Sequence, residues 1–336
     1  MTKPGRFADR PPPPEVQVDT PALETAELYR RASLWLTGLS IAIAFVMVMS
    51  SAIRVDASGT PELAFLAAAF LVVARIFRVR RRLSRIGDGL GALGLSWLGG
   101  LASAVVAIIG LRMHFPLADG RLNALDHFFG FDGLAVIHWL TTQPEWLMSA
   151  MSAAYFYTIP FLYLGMIVLA LLGDRVEVWR AAFCFIGTVL TTCLISAITP
   201  AKGLGSWASP ELVARLPKVS IRHFWPSFEK FYDGANPVLQ VDSIGGVVSF
   251  PSFHTIMGLI AVAMWRKYPM VFWPALGCFG LMLVATLPFG GHYAVDLIGG
   301  GAVWAAWFAL SRRLEAASIG TAPAPLSRKL TAAGVS

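Results

Sequence analysis

The stretch GGVVSFPSFHTIMGLIAVAMW (residues 245–265) passes from glycine, serine and proline into a largely apolar run, with His254 at the turning point. A second stretch, ATLPFGGHYAVDLIGGGAVW (residues 285–304), repeats the design: His292 opens an apolar run and Asp296 lies four residues further on. Ionisable groups inside apolar segments of this kind are costly and usually functional. Two histidines and a carboxylate at the mouths of such segments therefore bear on both the fold and the chemistry.

The rest of the chain is written in the same apolar register. Hydrophobic residues make up 56% and charged residues 14%, with a mean hydropathy of +0.63; a soluble domain carries about 25% charged residues. Apolar runs at about 33–53, 61–77, 90–111, 147–172, 178–198, 252–269, 270–289 and 291–311 predict an all-α, polytopic membrane bundle of eight transmembrane helices. The second and sixth runs are short, and the sixth completes a span only if Arg266 and Lys267 reach back to the interface. The polar leader, residues 1–32 with RPPPP at 10–14, reads as a disordered cytoplasmic extension without a cleavable signal peptide. Residues 33–112 hold the N-terminal spans, 113–311 form the membrane domain that carries the histidines, and 312–336 read as a disordered tail. Cys184, Cys193 and Cys278 fall inside expected spans and read as packing residues, neither a disulfide framework nor a zinc site. Pro160 is expected to kink the fourth span, and Gly299, Gly300 and Gly301 to let the eighth pack closely on a neighbour.

Cytoplasmic loops are rich in Lys and Arg. Most of the 27 basic residues fall inside if both termini are cytoplasmic, including the run RIFRVRRRLSR at 75–85. The net charge of +7 is thus a topology signal, and no nucleic-acid partner is expected. The basic run is also suited to anionic head groups of membrane lipids. On this N-in, C-in topology His254 and His292 share the outer face with the loop at 199–250. The amphipathic stretch 114–146 lies there too and reads as one or two interfacial helices.

Four residues separate His292 from Asp296, so on a helix they share a face, and the carboxylate can fix one ring nitrogen while the other keeps its lone pair. That is the geometry of an oriented nucleophile or base. His254 follows Ser252, a residue able to cap a helix or to offer a hydroxyl, at a helix start suited to anions; a histidine there can protonate a leaving alcohol. One site requires the two imidazoles to lie within about 10 Å. Two other readings use the same residues. A proton relay in a transporter predicts further charges deep in several spans, and almost none are present. Haem or metal ligation by His254 and His292 leaves Asp296 a supporting role and the Phe-Pro-Ser lead-in none.

PSFH (251–254) and HYAVD (292–296) resemble the Pro-Ser-x-His and His-x3-Asp motifs of the type 2 phosphatidic acid phosphatase superfamily, and within it the branch of the inositol phosphorylceramide synthases. Thr286 and Tyr293 match that branch, as do LNALDHFFGFDG (122–133) and ITPAKG (198–203), so the likeness spans about 115–310. The superfamily's Lys-x6-Arg-Pro string is absent, and Ala285 and Thr286 stand where Ser-Arg is usual. Ser252, Lys202 and Arg222 are therefore the expected phosphate contacts, with Lys218 and Lys230 as further candidates. The resemblance implies metal-free and cofactor-free phosphoryl transfer: His292 as nucleophile, Asp296 orienting it, His254 as acid and base. The expected activity is a lipid phosphatase of the bacterial inner membrane with a periplasmic, outward-facing site. The alternative is a lipid head-group phosphotransferase in which Glu229 and Asp233 meet a polyol.

Overall fold

The computed structural model describes residues 20–320, apart from 52, 57, 59, 81–82, 236 and 241–246. Helices α1 (Thr20–Ser50), α2 (Thr60–Val79) and α3 (Ser84–Gly110) come first. Two short helices follow, α4 (Asp119–Phe128) and α5 (Gly133–Leu140), then α6 (Glu145–Phe156), α7 (Thr158–Leu172) and α8 (Arg175–Ile198). The long loop after α8 carries α9 (Pro210–Ala214) and α10 (Trp225–Tyr232). The chain closes with α11 (Phe253–Ala263), α12 (Pro269–Ala285) and α13 (Ala294–Gly320). The strand content among the described residues is one parallel pair, β1 (Arg54–Val55) on β2 (Val238–Leu239), which ties the loop after α1 to the long loop. In lipid a spanning segment must satisfy its backbone internally, and apolar runs of this length do so as helices.

Among the described residues, five helical segments are long and apolar enough to cross a membrane: Ala22–Ser50, Ser84–Met113, Arg175–Ile198, Pro269–Gly290 and Ala294–Ser318. A sixth is available if α6 and α7, bent by 51°, count as one broken span. The bend falls at Tyr157, and Pro160 sits in the first turn of α7, where its ring excludes the usual bond to the carbonyl four residues back. The fourth expected span is thus two helices. The second expected span corresponds to α2, a helix of 20 residues. The sixth does not meet the same standard. Helix α11 has 11 residues, about 16 Å at 1.5 Å each, against a hydrocarbon core of about 30 Å; turns follow it.

The expected ends of the bundle are also corrected. Residues 20–32 and 312–320 are helical, as continuations of α1 and α13. Polar residues there are stabilised by partners across the bundle: Thr25 Oγ1 lies 2.8 Å from Ser318 Oγ, and Glu27 pairs with Arg78 at 2.6 Å. The remainder of the expected leader and tail, 1–19 and 321–336, lies outside the described residues.

Helix α8 is the hub, packing on α1, α3, α7, α11 and α13. Close approach of α13 to the loop before α11 depends on two of the three glycines. A Cβ on Gly299 would lie 2.7 Å from the Phe250 ring, and one on Gly300 would lie 2.4 Å from the Ser252 carbonyl, whereas Gly301 faces open space. At the other end of these helices the basic residues are neutralised in a buried network. Arg180 pairs with Glu177 (2.8 Å) and Glu315 (2.7 Å), Arg266 with Glu177 (2.6 Å), and Lys267 with Asp174 (2.9 Å). Helices α8, α11 and α13 therefore run from this ionic end to the end that holds the histidines.

Candidate active site

Helix α13 begins at Ala294, so Asp296 lies in its first turn and His292 stands just ahead of it. The two do not share a helix face, as the spacing suggested; the carboxylate turns back toward the entering chain. Asp296 Oδ2 accepts from the Tyr293 backbone N–H (3.0 Å) and from Ser249 Oγ (2.9 Å), and faces His292 Nδ1 at 3.2 Å. The backbone bond is the return half of a capping box. A proton on Nδ1 is the one this carboxylate selects, which leaves the lone pair on Nε2. His292 is 2% exposed and Asp296 0%, so the pairing is shielded from water. Asp296 Oδ1 has no hydrogen-bond partner among the described residues; an unpaired buried oxygen is expensive and clusters at functional sites.

His254 occupies the first turn of α11. Ser252 is the N-cap, its hydroxyl accepting from the Thr255 N–H at 3.4 Å. The Ser252 N–H in turn donates to the Asp296 carbonyl at 2.9 Å, a backbone joint between the two motifs. The imidazoles of His254 and His292 lie 6.3 Å apart, centre to centre, at 64°. The requirement of a common site is met. On its other side the His254 ring stacks on Tyr155, at 3.9 Å and 17°.

Two carboxylates that sequence reasoning passed over hold this arrangement from α4. Asp126 accepts from the backbone N–H groups of Ala294 (2.8 Å) and Val295 (2.9 Å), closing the start of α13. The positive end of the helix thus meets a carboxylate, although burial pushes the Asp126 carboxyl above its ordinary value. Asp119 accepts from the N–H of Lys202 (3.0 Å) and of Gly203 (2.8 Å) and from the Tyr293 hydroxyl (3.0 Å). Trp207 Nε1 donates to the same hydroxyl at 2.8 Å. The signal was present: Asp119 and Asp126 stand two turns apart on one face of an amphipathic helix. Their partners, however, lie far along the chain. The stretch read as interfacial does form two helices, and Phe128, Phe129 and Trp139 stay exposed on it, but its opposite face is a brace.

The expected phosphate contacts have different settings. Ser252 is buried and its hydroxyl serves as a cap. Arg222 donates to the carbonyls of Gly205 (3.0 Å) and Ala208 (2.7 Å) and lies 4.7 Å from the Trp225 ring, so it holds the long loop together. Lys202 pairs with Glu229 at 2.9 Å and lines a small cleft with Trp225, Ser249 and Gly290. Ser249 bonds Asp296 and Gly290 adjoins His292, so the cleft that Lys202 lines borders the His292–Asp296 pair. Lys218 is exposed, and Lys230 lies in α10 beside Phe231. No group of three or more His, Cys, Asp or Glu able to hold a metal occurs among the described residues.

No curated protein and no solved structure matches the chain. A family model does match: that of the PAP2 superfamily, over residues 120–310. This span runs from α4, where it takes in Asp126, through the His254 turn to nearly the end of α13. It covers more than half of the sequence, and the chain belongs to the PAP2 superfamily.

Proposed function

We propose that the protein is a membrane-integral lipid phosphatase working through a phosphohistidine. One observation carries the reading: His292 is held through Nδ1 by a buried carboxylate, with its free nitrogen beside a cleft and a second imidazole 6.3 Å away. Nε2 of His292 attacks phosphorus as the bond to the lipid oxygen breaks, and protonated His254 gives its proton to that oxygen. Asp296 offsets the positive charge that develops on the phosphorylated ring. In the second half-reaction His254 takes a proton from water, whose oxygen displaces His292 and releases phosphate. Lys202 is the cation nearest the cleft and is suited to the equatorial oxygens. Membership of the PAP2 superfamily supports an enzyme acting on phosphate esters.

A lipid substrate is supported by a cavity of about 470 Å³ between α6, α7, α11 and α12. Its lining is almost wholly apolar, with Ala154, Phe161, Gly258, Val262 and Phe279 among its walls. Ala154 adjoins Tyr155, and Gly258 lies one turn below His254, so an acyl or prenyl tail entering there would bring its phosphate to the histidines. The cleft beneath α10 favours a second reading, transfer to a head-group alcohol, because Trp225 and the Lys202–Glu229 pair are suited to a polyol. Purified protein in detergent, given a panel of lipid phosphates with and without inositol or glycerol, tests both. Stoichiometric phosphate release insensitive to the alcohol supports the phosphatase. An acceptor-dependent phosphodiester with little free phosphate supports transfer instead. The outward orientation of the site is part of the proposal, and reporter fusions after Arg85 and within residues 205–240 should read inside and outside respectively.

A further inference from the structure

The surroundings of the nucleophile hold a group with no part in the scheme above. Tyr155 lies in the last turn of α6, and it is 3% exposed. Its ring is fixed from two sides, stacked on His254 at 3.9 Å and lying 6.0 Å from Phe289. A buried tyrosine hydroxyl normally finds a partner. This one has none among the described residues, although a phenylalanine would fill the same space without a polar atom to satisfy.

The hydroxyl's direction is set by what surrounds Gly290. The position a Cβ would take on Gly290 lies 3.0 Å from the Tyr155 hydroxyl oxygen, 3.2 Å from His292 Nε2 and 2.7 Å from His292 Cδ2. Glycine thus leaves open a space about one side-chain atom wide that the nucleophilic nitrogen and the Tyr155 hydroxyl both border. Gly290 also lines the cleft that contains Lys202 and Ser249. A phosphoryl group seated on Nε2 carries three oxygens in a plane about 1.5 Å from phosphorus, and one of them falls within reach of a donor so placed.

We infer that Tyr155 is a further catalytic residue: its hydroxyl donates a hydrogen bond to a non-bridging phosphoryl oxygen while His292 attacks. No proton is transferred; the bond strengthens as negative charge gathers on that oxygen. The ring has a separate task, holding the His254 imidazole in place by stacking. The inference rests on the phosphohistidine reading.

The test uses the full chain in detergent, with turnover of a lipid phosphate and binding of orthovanadate, a trigonal-bipyramidal mimic, measured in parallel. Tyr155→Phe keeps the ring. It should lower kcat about 100-fold with KM little changed, weaken vanadate at least tenfold, and leave the melting temperature and the pH profile set by His254 unaltered. Tyr155→Leu should add a leaving-group dependence like that of His254→Ala. If Tyr155→Phe alters folding, 3-fluorotyrosine at position 155 serves instead: it keeps the ring and the hydroxyl and makes the hydroxyl a stronger donor, so kcat and vanadate affinity should both change. Wild-type kcat and vanadate affinity in a folded Tyr155→Phe or 3-fluorotyrosine protein overturn this inference and leave the phosphohistidine reading intact. A wild-type protein that neither turns over any lipid phosphate nor binds vanadate overturns both.

Discussion

Replacing Asp296 by asparagine removes one charge and almost no volume. Three donors converge on Oδ2, and the nearest part of the reacting machinery is His292 Nδ1 at 3.2 Å. Phosphorylation of Nε2 makes the ring cationic, and two opposite unit charges at that separation attract by about 5 kcal/mol at an effective dielectric constant near 20. That corresponds to between three and four powers of ten in rate. Tyr293 N–H and Ser249 Oγ both donate to the position of Oδ2, so they hold the amide oxygen there, Nδ1 keeps its acceptor and its proton, and the loss is of charge alone. Asp296→Asn should therefore lower kcat by roughly 10³ to 10⁴ with KM changed little. Tyr293 N–H and Ser249 Oγ still find an oxygen, so the melting temperature should hold. The assay is steady-state phosphate release from a lipid phosphate, with thermal unfolding in the same detergent. A folded Asp296→Asn protein that keeps more than about a tenth of wild-type kcat would refute the argument that the carboxylate's charge acts through this contact.

Other substitutions separate roles and structure. His254→Ala should slow an alkyl phosphate ester about 10²- to 10⁴-fold and an aryl ester with a good leaving group far less, because the latter needs little protonation; equal losses on both would remove His254 as the acid. Asp126→Ala leaves the Ala294 and Val295 N–H groups without their acceptor, so thermal unfolding should show about 1–2 kcal/mol of lost stability, together with reduced kcat as Asp296 shifts. Gly300→Ala drives a methyl against the Ser252 carbonyl and should cost about 1–3 kcal/mol, whereas Gly301→Ala should be nearly silent in the same melt. Glu177→Gln breaks a buried pairing shared by Arg180 and Arg266 and should destabilise by about 3–5 kcal/mol, read as a lower melting temperature.

The membrane helices were legible because hydropathy is a local property, and so was the pairing of His292 with Asp296, because both lie within five residues. What the spacing did not convey was the geometry of that pair. The helix begins after His292, at a point fixed by Asp126 from far upstream. The same distance effect hid Asp119, Tyr155 and Ser249: each reaches the site from a different element, and no periodicity within α4, α6 or the loop announces the meeting. Helix limits were harder to read than helix positions. Helix α11 stops at 11 residues, while α1 and α13 run past their apolar stretches because Glu27, Arg78, Arg180 and Glu315 supply ionic partners. Arg222 shows what the sequence alone does not convey: its Nε and Nη2 donate to backbone carbonyls of the same loop.

The central claim is that phosphate passes through His292. Rapid mixing with a ³²P-labelled lipid phosphate, quenched in alkali to preserve a phosphoramidate, followed by peptide mapping, tests it most directly. The account predicts label on His292, labile to acid, and none in His292→Ala, which should also be inactive. Label on another residue, or turnover that persists in His292→Ala, would contradict it.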